Sequence, residues 1–130
     1  MAQHPSEKLL SELYDRFAKG DMPGVLGMCA PQMKWTVPGT APFSGEYTNE
    51  TFPGMVGEVM RICQGTFREE PVHIIASDDH GVAILDHFIV RDGKQIQYRT
   101  DHIWGIKDGK FVSWEERPGN QDEFNTVWAE

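Results

Sequence analysis

The apolar positions of this chain change their period about midway along it. Leu9, Leu10, Leu13, Tyr14 and Phe17 recur at helical spacing behind Ser6, which reads as an N-cap, and Gly20 is the natural stop. Asp21 can cap a short second helix carrying Val25, Leu26 and Cys29, which Pro31 should end. Met33, Trp35 and Val37 then alternate with Lys34 and Thr36 as a strand, closed by Pro38. Residues 38–48 gather Pro38, Gly39, Pro42 and Gly45 around the single aromatic Phe43, the chemistry of a covering loop that can form a rim. A third helix follows, with Phe52, Met55, Val56, Val59, Ile62 and Cys63 on one face, Pro53 tolerated in its first turn and Gly65 at its end.

After Gly65 the period becomes two. Turn signals at Asp78-Asp79-His80-Gly81, Asp92-Gly93 and Asp108-Gly109 divide the segment into four antiparallel strands near 66–77, 82–90, 95–106 and 111–117. Asn120 with Glu123 resembles a capping box, and Phe124, Val127 and Trp128 extend it into a short terminal helix. Helices first and a meander afterwards predict an α+β fold, a strongly bent antiparallel sheet whose concave face is covered by three N-terminal helices. With 130 residues, 39% apolar and 25% charged, residues 1–130 are expected to form one globular domain that fills its own core.

Twenty acidic against twelve basic residues give a formal charge of -8, which disfavours nucleic acid and anionic lipid as partners. Cys29 and Cys63 have neither framework nor metal-ligand spacing and read as reduced core residues. No apolar run is long enough for a membrane span and the first eight residues lack an apolar leader core, so the expected compartment is the cytoplasm.

The chemistry is best sought on the strand 95–106, whose two faces differ. Ile96, Tyr98, Thr100, His102, Trp104 and Ile106 form the apolar and aromatic face that must turn inward. A lone histidine in such a pattern is more often a satisfied core residue, but Tyr98, Thr100 and Trp104 add polar handles that an ordinary core avoids, and a pocket wall is the better reading. Its carboxylate partner depends on the following hairpin. A strict two-residue turn at Asp108-Gly109 sets Glu115 opposite His102, whereas a bulge brings Trp114 and Glu116 inward, and spacing leaves both open. His73, His80, His87 and His102 are read as scattered by strand parity, so no metal is expected; Asp86 and His87, adjacent on a strand, face opposite ways. No glycine-rich phosphate loop is present, and no cofactor is expected.

Taken together, Trp35-Thr36-Val37-Pro38-Gly39, Phe43-Ser44-Gly45 before helix three, His102-Ile103-Trp104 before Lys107-Asp108-Gly109-Lys110, and Trp114-Glu115-Glu116-Arg117-Pro118-Gly119-Asn120 resemble the SnoaL-like branch of the NTF2-like superfamily over nearly the whole chain. This branch includes polyketide cyclases and is related to ketosteroid isomerases and limonene epoxide hydrolases. The resemblance implies a cone-shaped fold. It places His102 where relatives carry an acidic residue aimed into the cavity, and it favours Glu116 over Glu115 as the inward carboxylate. The general base of ketosteroid isomerases falls near Val37 and their oxyanion tyrosine near Leu13, both apolar here, which argues against that reaction; the aspartate–arginine arrangement of the epoxide hydrolases is not evident.

The expected function is binding of a small hydrophobic molecule, with acid–base proton transfer on a carbonyl compound by His102 and Glu116, and with Trp35, Phe43, Tyr98, Thr100, Trp104 and Trp114 around the ligand. The competing readings are a module that only holds such a ligand and a cavity that serves as a dimerisation scaffold. A homodimer through the outer sheet face is expected from the resemblance, with Ile89 and Ile103 as its apolar residues.

Overall fold

A computed structural model describes residues 3–130. Its elements are α1 (Pro5–Ala18), α2 (Met22–Gly27), β1 (Cys29–Val37), β2 (Gly45–Tyr47), α3 (Phe52–Ile62), β3 (Arg68–Ala76), β4 (His80–Arg91), β5 (Lys94–Lys107), β6 (Lys110–Pro118) and α4 (Gln121–Trp128). The architecture is the α+β cone that the pattern predicts: one curved six-stranded sheet, in the order β2-β1-β6-β5-β4-β3, with helices over its concave face. The meander β3 to β6 is antiparallel throughout, while β1 runs parallel to β6 and antiparallel to β2.

Local chemistry moves several boundaries. The N-cap of α1 is His4, whose ring nitrogen accepts from the Ser6 amide, so Ser6 lies inside the helix and is buried. Pro5 at the first helical position explains this shift, because a residue before proline is held extended and suits the cap. Asp21 caps α2 through Gly24 N as expected, but α2 ends at Gly27 and Cys29 opens β1, with Pro31 inside that strand. An irregularity in the β1–β6 register between Cys29 and Lys34 accommodates the proline, which needs no ladder donor there. The covering loop contains the short strand β2, which pairs Trp35 with Tyr47. At the chain's end Asn120 caps α4 through the Glu123 amide.

Both Asp-Gly hairpins are tight two-residue turns with all four central residues left-handed: Asp92 and Gly93 at φ 53 and 76, Asp108 and Gly109 at φ 51 and 72. Beyond the second turn Lys107 pairs with Lys110 and Ile106 with Phe111, but Gly105 pairs with Ser113, leaving Val112 as a bulge. The strict turn and the bulge therefore coexist, and the bulge sets Trp114 opposite Trp104 and Glu116 opposite His102.

The inward residues of β4 are Gly81, Ala83, Leu85, His87 and Ile89, and those of β5 are Tyr98, Thr100, His102, Trp104 and Ile106. Ile89 is 2% exposed and so belongs to the core rather than to the outer face expected for it. Leu10, Leu13 and Tyr14 of α1, Phe52, Met55, Val59 and Ile62 of α3, and Phe124 and Trp128 of α4 close over this surface in one hydrophobic cluster, which also holds the free cysteines Cys29 and Cys63. Gly81 is where α1 comes closest, since a Cβ there would lie 2.5 Å from Leu10 Cδ1, and Leu10 is wholly buried. Gly81→Ala should destabilise the fold by about 1–3 kcal/mol through overpacking, read by urea denaturation. No loss of stability would mean that α1 can ride outward.

Candidate functional site

Under the helices lies a cavity walled by Trp35, Phe52, Trp104 and Trp114 on one side and by Phe43, Tyr98, Phe124 and Trp128 on the other. Trp35 stacks on Phe52 with ring centroids 3.7 Å apart, and its indole N–H donates to Asn49 Oδ1 at 3.1 Å, so its edge is satisfied away from the cavity. Phe43, expected on an open rim, is 4% exposed and packs edge-on against Phe124 and Trp128. The proline-glycine loop is therefore a plug at that end rather than a rim. A surface groove of about 610 Å³ between α1 and β3 shares Tyr14, Phe17, Met60, Phe67 and Glu69 with the cavity and lies beside it.

Besides Tyr98, whose hydroxyl accepts from the Trp128 indole at 3.0 Å, five polar side chains line this apolar chamber: Tyr14, Glu69, His87, His102 and Glu116. His102 and Glu116, the expected pair, are brought together, with His102 Nε2 3.8 Å from Glu116 Oε1. Trp35, Phe43, Tyr98, Trp104 and Trp114 line the wall as expected. Thr100 does not; it is wholly buried behind the wall, where Oγ1 lies 2.6 Å from His87 Nε2. Glu115, the alternative carboxylate, points outward and pairs with Arg117 at 3.3 Å.

Tyr14, Glu69 and His87 are the residues that sequence reasoning missed. Tyr14 was hidden in the apolar stripe of α1, yet its hydroxyl reaches His102 Nδ1 at 2.6 Å, so the helix does supply a phenol to the cavity beside the apolar Leu13. His87 is in phase with Ala83, Leu85 and Ile89 on β4, a periodicity that would have found it, and it shares the concave face with His102. Parity thus gathers these two histidines instead of scattering them, while Asp86 does face the other way and pairs with Arg99 at 3.0 Å. Glu69 gave no signal, because β3 is an edge strand with weak alternation; its pairing with His87 across the sheet brings it in.

A proton inventory orders these groups. The Trp104 indole can only donate, and it does so to the Tyr14 oxygen at 3.1 Å, which leaves the Tyr14 proton for His102 Nδ1. The His102 proton then sits on Nε2, which has no hydrogen-bond partner. Burial, together with Glu69 and Glu116 nearby, pushes the Tyr14 phenol well up, so it stays a neutral hydroxyl. Burial also pushes Glu116 up, but the neighbouring His102, His87 and Thr100 side chains outweigh it and hold the carboxyl below its usual range. An ionised Glu116 is a better acceptor for the Thr100 proton than a neutral ring nitrogen, so His87 Nε2–H donates to Thr100 and His87 Nδ1 keeps its lone pair. That nitrogen too is buried without a hydrogen-bond partner, with Glu69 Oε2 3.6 Å away.

Glu69 is the opposite of Glu116. Burial, only partly offset by His102 and reinforced by Glu116, raises its carboxyl to about 7. Burial lowers His87 to about 4, so its ring is neutral at physiological pH. Two carboxyls with opposed ionisation around one cavity are the arrangement that separates an acid from a base.

The stability consequences have opposite signs. Glu69 ionises at 4.5 when unfolded and about 7 when folded, so the folded chain keeps a proton that the unfolded chain has released, and stability falls as pH rises through that window. His87 protonates at 6.5 when unfolded and about 4 when folded, so its contribution is lost as pH falls from 6.5 toward 4. Where the windows overlap the two slopes cancel. Glu69→Gln removes only the first, and relative to the unaltered protein it should gain on the order of 1–3 kcal/mol between about pH 5 and pH 8, read by urea denaturation at both values. A difference that does not change with pH would show that Glu69 is not held protonated.

Among the described residues no helix is long and apolar enough to cross a membrane. No curated protein matches the sequence significantly. Solved structures do match in fold: Bal32a from a soil-derived mobile gene cassette (TM-score 0.85, 21% identity, 93% of this chain and 94% of that one), and an NTF2-like protein of unknown function from Burkholderia pseudomallei (0.86, 20%, 98% and 100%). TerC, co-crystallised with polyporic acid, is similar to the same degree (0.85, 19%, 98% and 100%). The model of the SnoaL-like domain matches residues 10–114, and the chain belongs to that family.

Proposed function

We propose that the protein is an enzyme that moves a proton on a small apolar carbonyl compound, with Glu116 and His102 as base and acid. The observation that carries this reading is the unpartnered His102 Nε2–H, buried beside an ionised Glu116 and facing an aromatic chamber. Glu116 is placed to take a proton from the carbon next to the carbonyl while His102 Nε2–H hydrogen-bonds the oxygen on which charge develops. Tyr14 holds the imidazole in the required tautomer, and Trp104 holds Tyr14. The aromatic wall keeps the local dielectric low, which strengthens both interactions. A similar fold holding polyporic acid in TerC supports an apolar, oxygen-bearing ligand over a sugar phosphate, as does the absence of any Lys or Arg from the cavity lining.

Deuterium exchange tests this without knowledge of the natural substrate. In D2O the protein should speed exchange at the carbon beside the carbonyl in at least one of a panel of aryl ketones, followed by proton NMR. His102→Asn and Glu116→Gln, each verified as folded, should lower the rate about 100-fold or more. Exchange no faster than buffer for every ketone, or unchanged rates in both variants, would sink the reading.

We also propose that two copies associate through the outer sheet face. Val82, Ile84 and Phe88 of β4 and Ile103 of β5 are half-buried there, and Ile75, paired with Val82, is 61% exposed. Light scattering should give twice the 14.8 kDa chain mass at micromolar concentration, and Ile75→Glu with Ile103→Glu should give the monomer.

A further inference from the structure

Glu69 and His87 have no part in the proton transfer just described, yet both are aimed into the same chamber. One ligand atom from each of Glu69, His87 and His102 lies within 4.8 Å of the other two. Two of these three residues carry the buried nitrogens without hydrogen-bond partners, His87 Nδ1 and His102 Nε2. Something must satisfy them, since a buried polar atom left unpaired costs about 1–3 kcal/mol.

Magnitudes decide between a metal ion and an oxygen atom. Three points no more than 4.8 Å apart always fit within a circle of radius about 2.8 Å, which is a hydrogen-bond length. One oxygen at its centre lies within hydrogen-bond reach of all three groups. A zinc ion at about 2.0–2.1 Å from each ligand needs them about 3.4 Å apart, so the widest pair would have to close by more than about 1 Å within a packed wall.

The proton inventory then states which kind of oxygen. His102 Nε2–H gives a hydrogen bond, and His87 Nδ1, whose proton is committed to Thr100, must receive one. A carbonyl oxygen satisfies the first and leaves the second facing a lone pair. A hydroxyl satisfies both, and the Glu69 carboxyl completes the contact from the side of the groove.

We propose that Glu69, His87 and His102 form a three-point cradle for one hydroxyl oxygen, and that the ligand class of this cavity is an apolar aromatic or unsaturated molecule in its enol or phenol form. This rests on the preceding reading for its functional meaning. A bound ketone lacks the hydroxyl proton that the His87 contact needs and its enol has one, so the cradle holds the enol more tightly than the ketone. That difference is what an enolisation catalyst requires.

Binding alone tests the cradle, with three probes of similar size. Isothermal titration should show para-cresol binding at least tenfold more tightly than para-fluorotoluene, which has no hydroxyl, and than para-tolualdehyde, which offers only a carbonyl. His87→Phe keeps the ring stacked on Tyr98 but removes the acceptor, and should bring the preference below about threefold. Glu69→Gln, at a site that folding tolerates more readily, should lower it by about threefold or more and serves if His87→Phe does not fold. Equal affinity for the three probes, a preference that survives both variants, or tight uptake of zinc abolished by His87→Phe would overturn the cradle. Cresol preference without ketone exchange would leave the cradle standing and remove the enzyme, and ketone exchange without cresol preference would do the reverse.

Discussion

A hydrogen bond of 2.6 Å between Tyr14 and His102, eighty-eight residues apart, is the interaction on which the rest depends. It pins the first helix to the middle of the longest strand, and it does so with groups that neither partner could bury alone. Without the phenol, His102 Nδ1 would be a bare acceptor inside a wall of tryptophans. Without the imidazole, the Tyr14 proton would have no acceptor, because its oxygen is already taken by the Trp104 indole. Packing of α1 on the sheet and the tautomer of His102 are thus one constraint. A fold that closes the cone also sets a proton on Nε2.

Val112 supplies a second constraint of a different kind. Parity along β6 after a strict turn would send Glu116 to solvent and Glu115 inward, and the one-residue bulge reverses that. The same bulge sets Trp114 against His102, with ring centroids 5.0 Å apart and nearly perpendicular, so the residue that brings in the carboxylate also brings in the aromatic ring that seals it from water. Glu116 remains ionised there because His102, His87 and Thr100 surround it, not because solvent reaches it.

The outline of the fold was legible because helical and strand periodicities are written by burial, and burial on one face is what this sheet imposes. The Asp-Gly turns are equally explicit, since both central positions need a left-handed backbone. What escaped was of two sorts. Boundaries beside proline moved, as at His4 and Pro31, because proline acts on its neighbours and not only on itself. Polar members of the site escaped where an amphipathic side chain counted as apolar, as with Tyr14, or where an edge strand blurred the alternation, as with Glu69. His102 stood out because its strand is long and its faces differ sharply; His87 lies in an equally clear pattern on β4, but parity was read there as scattering the histidines when it gathers these two.

The number of carboxyls explains why the chamber tolerates charge at all. Two ionised glutamates facing one small apolar cavity would repel each other with little solvent to screen them, and the nearby Glu116 helps to raise Glu69. The structure separates them by setting His102, His87 and Thr100 around Glu116, which leaves Glu69 to carry its proton. Glu69 is also the carboxyl that lines the groove as well as the cavity.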